Sequence, residues 1–419
     1  MKLTRRSMMG GLAVGGLAAG ALAAPMISAQ TRPRVVVIGG GAGGATAAQQ
    51  LAGDLDVTLI EPTRRYYTCF FSNLYLGGFW DLDELAHGYG GLAARGVNVI
   101  HDHAADVDRD GRSVTLTGGG TVPYDRLIVA PGIDFVEGSV PGWSVAAQNA
   151  MPHAYRAGSQ TQLLRAQLAA MPEGGVFAVV APPNPYRCPP GPYERVCMSA
   201  RYLAQHNPGA KILVIDPKEA FSKQGLFEAA WRDHYPGMIE RIGPDFGADS
   251  VAVDPEAMTV DIDGMIEPVD VCNVIPAQKA GRIAGIAGLT DASGWAPVHP
   301  EDMRSRMDDA MYVLGDASDQ GDMPKSGFSA NSQAKVCAQA IRAALLDAPQ
   351  FPARYANTCW SLLGPEDGVK VGAAYAPEDD RIAMRDSFLS AADEGPETRR
   401  QTWRESIDWY RAITAEMFG

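Results

Sequence analysis

A glycine-rich loop between two apolar strands constrains the fold of this chain more than any other feature. The buried-strand pattern of residues 34–38 leads into Gly39-Gly-Gly-Ala-Gly-Gly44, a helical run follows to residue 51, and a strand at residues 57–60 ends at Glu61. This order is the fingerprint of a dinucleotide-binding unit. Glycines let the backbone approach a pyrophosphate, the helix N-terminus stabilises its charge, and the acid accepts hydrogen bonds from ribose hydroxyls. The predicted binding residues are Gly39, Gly41, Gly44 and Glu61.

Two later strands are expected to return to the same site. Residues 124–132 are predicted as a strand that ends in a tight turn, and residues 311–316 as a strand that ends in Gly-Asp. Both segments resemble the places where two-domain flavoproteins contact FAD again, and there the aspartate of Gly-Asp hydrogen-bonds the ribityl chain. The resemblance predicts FAD as the cofactor and adds Asp316 to the residues that bind it.

A second strand-loop-helix pattern lacks the glycines of the first. The apolar run of residues 176–181 is followed by Pro-Pro-Asn-Pro-Tyr-Arg-Cys-Pro-Pro-Gly-Pro-Tyr-Glu-Arg, residues 182–195, and later by a strand that ends at Asp216. We call residues 182–195, which contain Cys188, the proline-cysteine loop. Proline offers no N–H to a phosphate and prevents the close backbone approach that glycine allows. Bound NAD(P) is therefore not expected here, which argues against an NADH-dependent disulfide reductase.

These patterns predict an α/β fold with two Rossmann-like domains of the glutathione-reductase type, the second inserted in the first. The FAD-binding domain is expected at residues 31–147 and 270–345, and the second Rossmann-like domain, without a glycine loop, at residues 148–269. A C-terminal capping or interface domain is expected at residues 346–419. The length of 419 residues accommodates this division.

The N-terminus has the pattern of an export signal. The basic segment Thr4-Arg-Arg-Ser7 precedes a glycine- and alanine-rich apolar run, and Ile27-Ser-Ala29 suits cleavage. The alternative is a membrane anchor, although the run is weakly hydrophobic for a span. The arginine pair indicates the twin-arginine route, so residues 1–30 are predicted as a signal peptide and the mature protein as periplasmic. We expect no membrane insertion, and the net charge of −13 argues against a nucleic-acid partner.

Six cysteines occur in the chain, at positions 69, 188, 197, 272, 337 and 359. In an exported protein they permit disulfides, and a redox role is favoured for a pair near a cofactor. The sequence has no C-x-x-C-H motif, so it predicts no c-type haem in this chain. Its seven histidines lack metal-ligand spacing, and no metal site is predicted.

Five blocks of sequence resemble one known family. They are residues 67–73, 182–195, 221–227, 273–279 and 357–363, and the proline-cysteine loop is the most specific of them. Together they resemble the flavoprotein subunit of flavocytochrome c sulfide dehydrogenase, and the resemblance extends over essentially the whole chain after the signal.

The resemblance implies roles for individual residues. Cys69 matches the cysteine that forms a thioether to the 8α-methyl group of FAD. Cys188 and Cys359 match a redox-active disulfide that lies against the flavin, and Glu194 matches a carboxylate that acts as a base there. Trp409 matches, by position, an aromatic residue beside the substrate.

The function implied is a periplasmic sulfide:cytochrome c oxidoreductase. Hydrosulfide would open the disulfide as a thiolate does and leave a persulfide, and two electrons would reach FAD. FAD accepts electrons in pairs and releases them singly, so a separate c-type cytochrome is expected to take them.

Several alternatives stay open from the sequence. One is a membrane-attached sulfide:quinone oxidoreductase of the same superfamily, and another is an accessory flavoprotein of a sulfur-oxidising complex with slow turnover. Cys197, nine residues after Cys188, could exchange with that disulfide. The interpretation favoured for Cys197, Cys272 and Cys337 is that of inert buried thiols. Lys279 and Lys325 could stabilise a reduced flavin anion or form salt bridges.

Overall fold

A parallel five-stranded sheet, the first sheet, contains the glycine-loop strand at its centre. A computed structural model describes residues 32–419, so the predicted signal peptide lies outside the described residues. The strands run, in spatial order, Met311–Val313, Arg126–Val129, Arg34–Ile38, Asp56–Ile60 and Asn98–Ile100. Helices Ala42–Leu51 and Gly327–Leu346 pack together beside this sheet. The central strand is apolar throughout its buried part because both of its neighbours and the helices exclude water from it.

A second parallel sheet has four strands. Their spatial order is Ile239–Ile242, Lys211–Ile215, Val176–Val180 and Val271–Val274. The last strand lies beyond the boundary expected at residue 269, because it pairs with Val176–Val180 from the inserted segment. The helices of this region are Ser159–Ala170, Gly191–His206 and Gln224–His234.

The C-terminal region is a three-stranded antiparallel sheet followed by a long helix. The strands are Tyr355–Gly364, Asp367–Glu378 and Arg381–Leu389, and the helix is Pro396–Phe418. Strand Tyr355–Gly364 packs against helix Gly191–His206, which follows strand Val176–Val180 of the second sheet. This contact places the C-terminal sheet against the end of the proline-cysteine loop.

The remaining elements are short. Two three-stranded antiparallel sheets consist of Ala104–Asp108, Ser113–Leu116 and Thr121–Pro123, and of Val251–Asp254, Thr259–Ile262 and Met265–Pro268. Strand pairs join Tyr66–Tyr67 to Ala86–His87, Ile133–Phe135 to Gln278–Ala280, and Ala296–Pro297 to Ser318–Asp319. Short helices span Ser72–Leu76, Gly90–Ala94 and Arg282–Ile286, with 3₁₀ turns at Leu82–Leu85, Ala146–Asn149, Pro244–Phe246 and Gly315–Ala317.

One apolar core connects the three sheets. It contains Val36 of the first sheet, Phe177 of the second and Leu362 of the C-terminal sheet, together with Met417 of the last helix. Residues from different sheets pack into the same core, so their relative positions are fixed by close packing. Within residues 32–419, no helix combines the length and the apolar character needed to cross a membrane.

Candidate functional site

A cavity opens at the carboxyl end of the first sheet, beside the glycine loop. Gly39 and Gly41 line it. Gly39 has a left-handed φ of 99°, and a Cβ there would lie 2.3 Å from the carbonyl oxygen of Ala130. A Cβ on Gly44 would lie 1.8 Å from the carbonyl oxygen of Gly39, so Gly44 serves the contact between helix and strand. The glycines therefore present backbone to this part of the cavity, which allows a pyrophosphate to approach closely.

Glu61 follows the second strand and lines the same cavity. One carboxylate oxygen accepts the N–H of Gly40 at 2.8 Å, and the other accepts the N–H and hydroxyl of Thr63 at 2.9 and 2.7 Å. A carboxylate has about four acceptor positions. The loop thus fixes the orientation of Glu61 and leaves it capacity to accept from a ribose hydroxyl.

Asp316 provides the clearest evidence that the cavity suits a hydroxyl-bearing ligand. Its Oδ1 is buried and has no hydrogen-bond partner among the described residues, and its Oδ2 lies 3.7 Å from Nη1 of Arg187. Burial raises the pKa of this carboxyl, while Arg187 and Lys325 act to lower it. Buried acceptors in proteins are almost always satisfied. The glycine loop, Glu61 and this free oxygen together fit FAD, and Asp316 would hold its ribityl chain.

A second pocket adjoins the dinucleotide cavity, and we call it the cysteine pocket. The two share the lining residues Cys69, Phe70, Arg187, Ser326 and Gly327. The cysteine pocket brings together the predicted residues Cys69, Cys188, Glu194, Cys359 and Trp409. Its wall is otherwise largely aromatic, because Phe70, Phe71, Phe328 and Trp360 pack around Trp409. Residues that are distant in sequence thus meet where the cysteine pocket joins the dinucleotide cavity.

Different elements position the two cysteines. Cys188 has a left-handed φ of 55°, its N–H donates to the carbonyl oxygen of Lys325 at 2.7 Å, and its carbonyl accepts the N–H of Gly191 at 2.7 Å. Cys359 lies on strand Tyr355–Gly364, opposite Val371 of the next strand. All six cysteines are free thiols in the structure, and the pairing of Cys188 with Cys359 stays a prediction.

Glu194 is held in the first turn of helix Gly191–His206. One carboxylate oxygen accepts Nδ2 of Asn73 at 2.8 Å and the other accepts the N–H of Leu362 at 2.9 Å. Burial raises the pKa of Glu194, and these two hydrogen bonds oppose the rise. A half-buried carboxyl in a pocket lined by cysteine thiols can accept or return a proton.

Three parts of the chain match models of known protein families. Residues 161–276 match the central domain of the "Sulfide dehydrogenase [flavocytochrome c] flavoprotein chain", and residues 351–418 match "Flavocytochrome c sulphide dehydrogenase, flavin-binding". Residues 33–170 match "Pyridine nucleotide-disulphide oxidoreductase". The flavoprotein chain of this dehydrogenase from Chlorobaculum thiosulfatiphilum is 51% identical over 43 residues, which are 10% of this chain and 90% of that sequence. The chain belongs to the flavocytochrome c sulfide dehydrogenase flavoprotein family.

More distant relatives share the fold. The mitochondrial sulfide:quinone oxidoreductase of Mus musculus is 22% identical over 304 residues, 70% of this chain and 67% of that protein. The structure of the sulfide:quinone oxidoreductase from Aquifex aeolicus superposes with a TM-score of 0.70 at 18% identity and covers 92% of each chain. The structure of a NAD-dependent persulfide reductase from A. fulgidus superposes with a TM-score of 0.61 at 17% identity, over 91% of this chain and 77% of that one. The predicted α/β fold with Rossmann-like domains is confirmed.

Three cationic side chains whose roles were not predicted from the sequence lie in or behind the cysteine pocket of this flavoprotein. Arg187 and Arg195 line it. Arg195 is 3% exposed, and its guanidinium donates to Asn73, Asn273 and the carbonyls of His153 and Ala154. Burial lowers the pKa of Arg195 to about 10. Lys223 lies behind Cys359. All three belong to the sequence blocks that carry the resemblance, but their meeting depends on contacts between distant segments.

The other predicted residues do not enter the site. Nζ of Lys325 donates to the carbonyls of Asp316 and Ser318 and lies 3.7 Å from the centroid of the Trp295 ring, while Lys279 is exposed. Cys197, Cys272 and Cys337 are fully buried and line neither space.

Side chains fill the position where the second Rossmann-like domain would place a dinucleotide. Asp216, at the end of its second strand, is fully buried. Its carboxylate accepts the hydroxyl of Tyr193 at 2.8 Å and pairs with Nζ of Lys218 at 2.6 Å and with Arg241 at 3.2 Å. Phe221 stacks on Tyr193 with ring centroids 3.5 Å apart. Asp216 therefore occupies the place that Glu61 has in the first domain, but it faces protein groups.

Proposed function

We propose that this flavoprotein oxidises hydrosulfide at a Cys188–Cys359 disulfide, transfers two electrons to FAD tethered at Cys69, and releases them singly to a c-type cytochrome in the periplasm. The observation that carries the proposal is the junction of the cysteine pocket with the dinucleotide cavity at Cys69. Both cysteines and Glu194 line one side of this junction, and the glycine loop and Asp316 line the other.

The pocket favours an anionic sulfur nucleophile. Arg187 and Arg195 place two positive charges in its wall, and Lys223 adds a third behind Cys359. In a buried site such charges attract hydrosulfide more strongly than they would in water. The thiols of the pocket are only partly exposed, and the aromatic side chains around them would limit side reactions of a persulfide with water.

The sulfur chemistry balances with two hydrosulfide ions. The first forms a bond to one cysteine sulfur and breaks the disulfide, which gives a persulfide and a thiolate. A second hydrosulfide takes the outer sulfur as disulfane anion and returns the cysteine as a thiol. Re-forming the disulfide releases one proton and two electrons, so the net reaction converts two hydrosulfide ions to one disulfane anion, one proton and two electrons.

Glu194 is the group in this pocket that can take that proton. Its raised pKa brings the carboxyl closer to the working pH, and its hydrogen bond to Asn73 keeps it aimed at the pocket. FAD, when bound, supplies an acceptor for an electron pair that can be passed on one electron at a time.

The test of the disulfide is anaerobic addition of sulfide to the purified flavoprotein, followed by the loss of flavin absorbance. We expect rapid bleaching in the wild type and little in Cys188→Ser. The matched control is Cys197→Ala, which removes a neighbouring thiol that lines neither cavity and should leave the rate unchanged. Unchanged bleaching in Cys188→Ser would exclude the disulfide mechanism.

A second candidate is a sulfide:quinone oxidoreductase, which the full-length structural similarity to the Aquifex aeolicus enzyme supports. Protein reduced by sulfide is mixed with a soluble c-type cytochrome or with a short-chain ubiquinone, and reoxidation of the flavin is timed. Faster reoxidation by the cytochrome supports the first proposal, and faster reoxidation by the quinone supports the second. Slow reduction of the flavin by sulfide, whichever acceptor follows, would favour an accessory role.

A further inference from the structure

A buried lysine lies behind the cysteine pocket, and the reaction described above does not require it. Lys223 is 6% exposed and precedes helix Gln224–His234 with a left-handed φ of 64°. Its Nζ donates to the carbonyl oxygen of Cys359 at 2.9 Å and to Oγ of Ser361 at 2.7 Å. The ammonium is thus attached to the strand that carries Cys359.

Among the residues that the structure describes, no carboxylate forms an ion pair with this ammonium. The lysine ion pairs found within residues 32–419 belong to Lys218, Lys335 and Lys370. Burial lowers the pKa of Lys223 to about 8, and the groups that act in the opposite direction are Cys359, Glu194 and Cys188. A buried charge without an ion-pair partner is costly, so a compensating anion is expected nearby, and the candidates are Cys359, Glu194 and Cys188.

The two pocket cysteines differ in how well they can carry negative charge. Burial raises the pKa of Cys359, and the charge of Lys223 is the strongest effect that lowers it. Nδ2 of Asn357 also lies 3.3 Å from the Cys359 sulfur. For Cys188, burial and the charges of Cys359, Glu194 and Cys69 raise the pKa, and Lys223, which opposes them, ranks after all four. Arg195 is the other cation that interacts with Cys188, since the charge of Cys188 raises the pKa of Arg195. The titratable groups that face Cys359 are Lys223, Glu194, Cys188 and Tyr375.

We propose that Lys223 is a positioning residue that stabilises the thiolate of Cys359 and makes Cys359 the leaving group when hydrosulfide opens the disulfide. This inference rests on the proposed function. In this step hydrosulfide forms a bond to the Cys188 sulfur, the bond between Cys188 and Cys359 breaks, and its electron pair stays on Cys359. The proton remains on the outer sulfur, so atoms and charge balance. A thiol of lower pKa leaves faster in such an exchange.

The test measures thiol acidity without using sulfide. Holoenzyme is reduced with dithiothreitol, the reductant is removed, and alkylation of each cysteine by iodoacetamide is followed from pH 6 to pH 10 by peptide mass spectrometry. We expect Cys359 to react at lower pH than Cys188 in the wild type. Lys223→Met should slow the alkylation of Cys359 about tenfold below pH 8, because an adjacent opposite charge shifts a pKa by about one unit or more.

The difference in Cys359 alkylation between wild type and Lys223→Met should narrow above pH 8, since there the amine of Lys223 is itself losing its charge. Lys223→Arg keeps the charge and should restore most of the reactivity, and Lys279→Met, which removes an exposed lysine, should have no effect.

Equal reactivity of Cys359 in wild type and Lys223→Met would overturn the inference. Should that variant not fold, Cys188 reacting at lower pH than Cys359 in the wild type would overturn it equally. Sulfide bleaching of the wild type is measured separately, so failure of the proposed function is distinguishable from failure at Lys223.

Discussion

Glu194 shows how a single carboxyl can be prepared for proton transfer. Its partial burial raises its pKa, yet Asn73 and the N–H of Leu362 keep the charged form accessible. The group is therefore protonated over a wider acidic range than an exposed glutamate. A base must be deprotonated to act, so the rate should fall as the pH drops through this raised pKa.

We predict that Glu194→Gln lowers the rate of sulfide-dependent flavin bleaching about 100-fold or more, the usual scale of general-base catalysis. The amide keeps the size of the side chain but cannot take a proton, so the part of the acid limb that belongs to Glu194 should disappear. Stopped-flow traces between pH 5 and pH 9 measure both effects. The control is Glu219→Gln, an exposed carboxylate at the same end of the second sheet. A mutant with the wild-type pH profile would assign the proton to another group.

At the scale of elements, the two Rossmann-like domains differ in what the end of the second strand faces. Glu61 faces a cavity bordered by glycine, whereas Asp216 is closed in by Tyr193, Lys218 and Arg241. Tyr193 belongs to the helix that also carries Glu194. In the second domain the position equivalent to Glu61 therefore anchors the helix that forms one wall of the cysteine pocket.

Removing one hydrogen bond to Asp216 should weaken this anchor. We predict that Tyr193→Phe lowers the free energy of unfolding by about 1.5–3 kcal/mol, the range for hydrogen bonds to charged groups. Urea unfolding followed by tryptophan fluorescence measures the change. The control is Tyr202→Phe. Tyr202 lies on the same helix, and its hydroxyl has no partner among the hydrogen bonds of the described residues, so this variant should change the free energy of unfolding by less than about 0.5 kcal/mol. Equal effects of the two variants would show that the Tyr193–Asp216 bond does not anchor the helix.

The sequence predicted those parts of the structure that local patterns determine. The glycine loop, Glu61 and Asp316 follow directly from strand-end motifs, and all three are at the dinucleotide cavity. The boundary at residue 269 missed Val271–Val274, since membership in a parallel sheet depends on a partner nearly a hundred residues away. Lys223 and Asn73 were missed for the same reason, because their contacts with Cys359 and Glu194 join separate segments.

At the scale of the whole molecule, the cofactor site is a junction of regions. The dinucleotide cavity takes residues from the first sheet, from the loop that holds Arg187 and from helix Gly327–Leu346. The cysteine pocket adds the C-terminal strand with Cys359 and the last helix with Trp409. A ligand that contacts all of these regions stabilises their arrangement as well as its own binding, in proportion to its affinity for the folded state.

Cys69 is the cysteine that lines both spaces, a position compatible with the covalent bond to the flavin that the family resemblance implies and that we propose. Wild-type protein precipitated with acid should keep its yellow colour, and its intact mass should exceed that of the polypeptide by one FAD. Cys69→Ser should still bind FAD through the glycine loop, Glu61 and Asp316, but should release it on denaturation. It should also unfold at lower temperature, because an untethered ligand loses the effective concentration that a covalent link provides. Cys272→Ala, whose thiol lines neither space, should behave as wild type. Release of all flavin from denatured wild type would refute the bond while leaving the two cavities and their residues as described.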